Sequence, residues 1–393
     1  MRGTMMEFPL TMTHLFDRAE RLFPRKEIIT NTPTGRERTT YGEWADRTRR
    51  LAAALDSLGI SPDGRVATFA WNTGRHLELY FAAPCSGRVL HTLNIRLFPE
   101  QVTYIVNHAE DEVIFVDNSL APLLWPALGN FPTVRHVVVM NDTGGELPTD
   151  APGGIEVHDY ETLLAAAAPR EWDVRDEDLA AAMMYTSGTT GNPKGVMLDH
   201  ANLCWTLACL REAFETETFA GQRVVSYLPM AHIAERATSH YGNAMNGYEV
   251  SCCPDPSLIA TYAREVKPNI MFGVPRVWEK IYSAVNGALA LDPEKKEKVD
   301  EAVAAAIPLV DKITWGTATP EEVETYQFLD AVAFSTIREL IGLDELDLAV
   351  TGAAPMTPEL LQWFRAIGVP LSEIYGMSES SGPISFAARR PKP

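Results

Sequence analysis

Apolar residues recur along the chain in two spacings, and the spacings alternate. Thr40 and Glu43 stand three residues apart, ahead of a run in which Leu51, Leu55 and Leu58 share one helical face and Gly59 follows. That is a capping box, an amphipathic helix and a glycine stop, so a helix is predicted from Thr40 to Leu58. Short apolar runs predict strands at residues 65–71, 113–116 and 134–140, with a helix at 99–108 between the first two. The pattern repeats further on, with strands predicted at 179–185, 223–228, 249–253, 270–274 and 346–350. A helix at 201–214 carries Leu203, Leu207, Leu210 and Phe214 on one side. Thr357 and Pro358 open another, which runs to Ile367 and ends at Gly368. The polar stretch 141–154, rich in Gly and Pro, is the best candidate linker. The helical, charged stretch 283–330 reads as a solvated insertion.

Strand–helix alternation of this kind predicts an α/β fold: two doubly wound, mostly parallel sheets covered by helices, with a small β subdomain beside them. In such sheets ligands gather at the carboxyl ends of strands. Residues 185–197, 229–232, 273–276, 352–355 and 375–379 all follow predicted strands, and are expected to form one site.

Composition narrows the class. At 393 residues, 46% hydrophobic and 22% charged, the chain has material for two or three cores. A net charge of −18 argues against a nucleic-acid partner and disfavours electrostatic docking on anionic membranes, a local patch aside. The five cysteines show no metal spacing, and their odd number suits buried thiols in a reducing compartment. No apolar run approaches the length of a membrane span and the first ten residues are not a signal peptide, so a cytoplasmic location is expected.

The chemistry concentrates in residues 185–197, Tyr-Thr-Ser-Gly-Thr-Thr-Gly-Asn-Pro-Lys-Gly-Val-Met. Four hydroxyls (Thr186, Ser187, Thr189, Thr190), three glycines (Gly188, Gly191, Gly195) and Lys194 follow an apolar run. Such a loop offers backbone N–H groups, hydroxyl donors and a cation to a polyanion, and a nucleoside triphosphate is the natural guest. The common nucleotide loop needs Gly-Lys-Ser/Thr, whereas here Lys194 lies between Pro193 and Gly195. A plain polar turn is the alternative for any Gly/Ser/Thr cluster.

Residues 185–197 resemble the signature of the AMP-forming acyl-CoA synthetases, within the adenylate-forming superfamily. Three further blocks agree in order: Tyr227-Leu-Pro-Met-Ala-His232, Thr351-Gly-Ala-Ala-Pro355 and Tyr375-Gly-Met-Ser-Glu379. Val274-Pro-Arg-Val-Trp-Glu-Lys280 is similar to the fatty-acid branch. From about Tyr185 onward the chain looks like the bubblegum type of long-chain enzyme. Before that, residues 5–9 and 75–94 look like bacterial medium- and long-chain ligases.

The resemblance implies that a fatty carboxylate attacks ATP to give acyl-AMP and pyrophosphate, and that the thiol of coenzyme A then displaces AMP. It assigns Thr186, Ser187, Gly188, Thr189, Thr190, Gly191 and Lys194 to the β- and γ-phosphates, and Glu379 with the Thr186 hydroxyl to Mg²⁺. Tyr375 would lie on adenine, with Gly352, Ala353 and Ala354 making room and Glu373, Ile374 and Gly376 beside it. Ser378 stands where the family usually has threonine and keeps the hydroxyl for the α-phosphate. Thr351 stands where many members have glycine, which puts a close backbone approach there in doubt. His232, Ile233, Gly273, Val274 and Pro275 would line the acyl and CoA channels. Lys194, Glu379 and Thr186 are thus the expected catalytic groups.

The expected division is a first α/β subdomain at 1–170 and a second at 171–393 carrying the phosphate loop. The family continues with a ribose-binding aspartate, a hinge and a small domain whose lysine promotes adenylation. None can be located here, so the chain reads as the N-terminal portion of a long-chain fatty acyl-CoA synthetase lacking the C-terminal domain, with weakened catalysis. Losing one such cation typically removes ~3–4 kcal/mol of transition-state stabilisation. The family also makes a homodimer and a peripheral membrane contact plausible. Two alternatives stay open: an acyl-AMP ligase loading a carrier protein, and a non-catalytic nucleotide- or lipid-binding module.

Overall fold

The first cap forms as its sequence dictates. The Thr40 hydroxyl accepts from the Glu43 amide, and the Glu43 carboxylate accepts from the Thr40 amide at 2.8 Å. Both ends of the box are closed, and the helix Tyr41–Ser57 starts there and buries Trp44, Leu51 and Leu55. The computed structural model describes residues 4–6, 8–32, 35–186, 191–214 and 220–387. Ser187, Gly188, Thr189 and Thr190 of the phosphate loop lie outside the described residues.

Fifteen strands are found among the described residues: β1 Glu27–Thr32, β2 Gly35–Thr40, β3 Arg65–Phe69, β4 Val89–Thr92, β5 Asp111–Asp117, β6 His136–Met140, β7 Glu156–Asp159, β8 Ala180–Thr186, β9 Lys194–Asp199, β10 Arg223–Ser226, β11 Glu249–Cys252, β12 Ile270–Gly273, β13 Leu348–Thr351, β14 Leu371–Met377 and β15 Gly382–Phe386. They make two mixed sheets with helices on them, the expected α/β class. The chain divides into a first unit (Met1–Arg211, Glu217–Gly221, Ser226–Pro254) and a second (Glu212–Thr216, Gln222–Val225, Asp255–Pro393).

In the first unit a seven-stranded sheet runs β7-β6-β5-β3-β4-β8-β9. Every pairing in it is parallel except β8 with β9. β6 (His-Val-Val-Val-Met) is buried at every position, as an interior parallel strand covered on both faces must be. Val113, Phe115, Val137 and Val139 are fully buried, each worth ~1.5–3 kcal/mol of transfer energy. The helix Gly74–Cys85 is buried all round. The same unit holds β1, paired parallel with β11 and antiparallel with β2.

In the second unit β10, β12, β13 and β14 lie parallel in that order apart from an antiparallel β15 on β14. The helices Pro275–Leu289, Pro293–Thr314 and Pro320–Leu329 account for the charged stretch. It is more than a solvated insertion: Val299, Val303 and Ala306 are buried, and Pro293–Thr314 packs on Pro358–Ala366.

Two expectations are corrected. Residues 141–154 join β6 to β7, neighbours in one sheet, so the polar stretch is a loop inside a unit and not a linker between domains. The hairpin β1–β2 was not expected, because β2 (Gly-Arg-Glu-Arg-Thr-Thr) has no buried position and so no apolar alternation to betray it.

Replacing Thr40 by alanine should lower the unfolding free energy by about 1 kcal/mol in urea titrations, the usual worth of such a cap. An unchanged midpoint would show that the helix start is held by packing alone.

Candidate functional site

The phosphate loop is the turn of a hairpin. β8 enters it and β9 returns antiparallel, with Thr186 opposite Lys194 and Tyr185 opposite Gly195. A nucleotide loop of the common kind leads into a helix, whose N-terminus supplies the dipole; here the return is the strand β9. Gly191 has φ of +95°, a value that L side chains avoid. A Cβ at Gly195 would sit 3.2 Å from the Tyr185 ring, so that glycine lets the tyrosine lie across the returning strand. Tyr185 is held by a 2.6 Å bond between its hydroxyl and His108 Nδ1. Lys194 is exposed and makes no ion pair among the described residues, and Thr186 is half-buried.

The segment 227–232 is gripped from behind by groups that sequence reasoning did not single out. The Glu235 carboxylate accepts from the Leu228 amide at 3.1 Å and from the Ser226 hydroxyl at 2.6 Å. Asn72 Nδ2 donates to the Leu228 carbonyl at 3.0 Å, and the Tyr80 hydroxyl to the Met230 carbonyl at 2.7 Å. Arg236, fully buried, donates to Thr92 at the end of β4 and to the Met183 carbonyl of β8. This arginine therefore ties the segment to the strand that feeds the phosphate loop. The signal was available in the Glu235-Arg236 pair, two charged residues directly after the His232 block. Residues Arg236–Tyr241 wind as a π-helix, a form that recurs at functional sites.

Burial controls the protonation of this cluster. It pushes the Glu235 carboxyl up to about 7 from an ordinary 4.5, against the hydrogen bonds from Ser226, Ser239, the Leu228 amide and Asn72. Burial also holds His76 down at about 4 and His240 well below the usual imidazole range. Since the Ser226 hydroxyl donates to Glu235, His240 Nε2–H donates to Ser226, which fixes its tautomer. His232 is exposed; packing around its ring, then the charge of Arg96, lowers its pKa. Ile233 is buried.

In the second unit the strand register brings three expected segments together. Gly273 pairs with Thr351 and Thr351 with Glu373, so the ends of β12, β13 and β14 are neighbours. The close backbone approach that Thr351 put in doubt is found one residue later. A Cβ at Gly352 would lie 2.6 Å from Ile374 Cγ2 and 2.8 Å from the Ile374 carbonyl oxygen, so only glycine fits. Ala353 sits at φ +67°, a conformation that costs an alanine ~1–2 kcal/mol. Ala353, Ala354 and Pro355 are exposed, as are Glu373, Tyr375 and Glu379, while Ile374, Gly376 and Ser378 are half-buried. Tyr375 leaves 60% of its surface open, unusual for a large ring on a strand. The Gly273 carbonyl accepts from buried Trp278 Nε1 at 3.0 Å; Pro275 is buried and Val274 half-buried.

The AMP-binding enzyme family matches residues 16–393. The chain belongs to that family. It is 37% identical to a 3-methylmercaptopropionyl-CoA ligase of Ruegeria lacuscaerulensis, over 97% of this chain and 67% of that one. It is 38% identical to a long-chain fatty-acid CoA ligase of Thermus thermophilus, over 70% of this chain and 50% of that one. The bubblegum-type likeness is more distant: 28% identity to the ligase ACSBG2 of Gallus gallus, over 97% of this chain and 51% of the relative. The chain thus spans between about half and two thirds of these relatives. Among solved structures, the anthranilate CoA ligase AuaEII with anthranoyl-AMP aligns with a TM-score of 0.71 at 18% identity. That match covers 97% of this chain and 63% of that one, and bears on the fold alone. No helix among the described residues is long and apolar enough to cross a membrane.

The raised Glu235 pKa makes a signed prediction. The fold prefers the neutral carboxyl, so the associated stability is full below about 4.5 and lost as pH rises through about 7. Relative to Glu235→Gln, the wild type should lose about 3 kcal/mol between pH 4 and pH 8 in denaturant titrations. A difference that does not change with pH would show that Glu235 is not stabilised in its neutral form.

Proposed function

We propose that this chain carries the ATP-binding and acyl-adenylating part of a fatty-acid CoA ligase, acting on medium- to long-chain acids. The observation that carries the reading is the β8–β9 hairpin, which sets Thr186 opposite Lys194 across a loop of hydroxyls and glycine. The relatives named for fatty-acid ligation support the substrate class, and the exposed Lys194, with no ion pair among the described residues, supports a polyanionic ligand.

In the proposed reaction a fatty carboxylate oxygen attacks the α-phosphorus of ATP, and the bond to the bridging oxygen of pyrophosphate breaks. Acyl-AMP remains; the thiol of coenzyme A then attacks the acyl carbonyl and AMP leaves. A carboxylate is already a nucleophile, so the first step needs no base; in the second the thiol gives up its proton to solvent as the C–S bond forms, and His232 serves as a neutral wall and not as a base. The task is positioning and charge neutralisation. Lys194 and the loop amides hold the terminal phosphates, while the exposed face of Tyr375 and the small residues 352–354 receive the base. Glu373, Ile374 and Gly376 flank it, and the Ser378 hydroxyl donates to the α-phosphate. Glu379 and the Thr186 hydroxyl each offer hard oxygen donors, which suit Mg²⁺; when bound, that ion neutralises charge on the phosphate oxygens. Ile233, Gly273, Val274 and Pro275 bound the acyl chain.

The test is to supply ATP, Mg²⁺ and fatty acids from hexanoate to lignocerate, and to measure pyrophosphate and acyl-AMP, with coenzyme A or acyl carrier protein as acceptor. Lys194→Ala and Glu379→Ala should each lower adenylation by about 10²–10³-fold. Adenylation and ATP binding untouched in both variants would overturn the site. Transfer to the carrier protein alone would replace the CoA reading, and nucleotide binding without pyrophosphate release would leave a non-catalytic module.

A further inference from the structure

We propose that His136, Glu156 and His158 form a divalent metal site that binds zinc and staples the edge strand β7 to β6. The register makes the cluster. His136 is paired with Glu156 across the parallel strands, and His158 follows two residues on, so all three side chains share one face of the sheet.

The donor atoms have the spacing of a coordination polyhedron. His136 Nδ1 lies 3.2 Å from His158 Nε2 and 3.5 Å from Glu156 Oε2, and His158 Nε2 lies 3.7 Å from the same oxygen. Zinc with nitrogen and carboxylate ligands at ~2.0–2.2 Å sets tetrahedral edges of about 3.3–3.5 Å. The three measured edges bracket that range. A hydrogen bond between the histidines would account for the first distance, but it makes no demand on Glu156. Two imidazoles and one carboxylate also match zinc in softness.

The surroundings orient the ligands. His136 Nδ1 faces both of the other groups, as a shared ion requires. Binding requires His158 to carry its proton on Nδ1, a change of tautomer with no net proton released. His136 is buried, His158 half-buried and Glu156 exposed, so one vertex faces solvent and an ion can enter. Arg135, next in sequence to His136, is already engaged by Glu112 and the Gly59 carbonyl. The site lies at the amino ends of β6 and β7. The phosphate loop leaves the carboxyl end of β8, across the same sheet, so the metal does not belong to the reaction proposed above.

The experiment uses the whole chain stripped with chelator. Calorimetric titration with Zn²⁺ should show one equivalent bound, and Co²⁺ should give the intense visible bands of a tetrahedral ion without thiolate charge transfer. Zn²⁺ at a hundredfold excess over its dissociation constant should raise the unfolding temperature by about 3 °C. His158→Ala should abolish the bands and the shift, and Glu156→Gln should weaken binding by at least about tenfold. Glu156 is exposed and His158 half-buried at an edge strand, and circular dichroism verifies that the variants fold. Absence of stoichiometric binding, or binding and shift unchanged in both variants, would overturn the proposal.

Discussion

The antiparallel return of β9 on β8 is the constraint on which the candidate site rests. Every other neighbour pair in that sheet is parallel, and a parallel connection would have needed a crossover of a dozen residues or more. The antiparallel register sets Lys194 opposite Thr186, eight positions apart in sequence. The loop gives up the dipole that a following helix would supply. A lysine and several hydroxyls are the compensation visible in the sequence.

Behind this exposed element lies a buried polar one. Glu235 and Arg236 are adjacent, point to different partners and are both inaccessible. Glu235 fixes the backbone at Leu228, and Arg236 fixes the turn at Met230 and reaches β4 and β8. Removing either partner would strand a buried polar group, so the network specifies geometry more than it adds stability. The second unit achieves the same end with sterics: Gly352 admits the Ile374 carbonyl, and Ala353 is held in a left-handed turn. In both cases buried groups fix the backbone, while His232, in the one, and Tyr375, in the other, are left facing solvent.

The alternation of strand and helix was legible because interior parallel strands are apolar throughout. The runs 113–116 in β5 and 137–140 in β6 are examples of such unbroken apolar stretches, and the capping box at Thr40 marked its helix to the residue. Polar strands were not legible. β2 has no buried face, and β9 begins inside a stretch whose glycines and hydroxyls argue for loop, so periodicity had nothing to detect. The motif residues could be named from their order along the chain, but the groups that hold them could not. Asn72, Tyr80 and Thr92 lie some 140 or more positions before the segments they support, and no local pattern links such distant residues. The His136 cluster escaped for the same reason. Its members are spread over two strands, and only the register sets one beside the other.

The overall charge leaves an apparent conflict, since a chain of net charge −18 is read as the host of a tetra-anion. Screening resolves it. At physiological ionic strength the Debye length is about 8 Å, so carboxylates farther off than a few side chains act only weakly on a bound phosphate. Contact-range groups then decide the affinity, and these are a lysine without an ion pair among the described residues and the amides and hydroxyls of a hairpin. Many of the acidic groups are in any case already engaged, as with Glu161 between Arg47 and Arg75, or Asp56 between Arg88 and Arg170. Pairing of this kind removes their field locally while leaving the formal count unchanged. The net charge is therefore a poor guide to what the loop can hold, and the exposed lysine at its end is the better one.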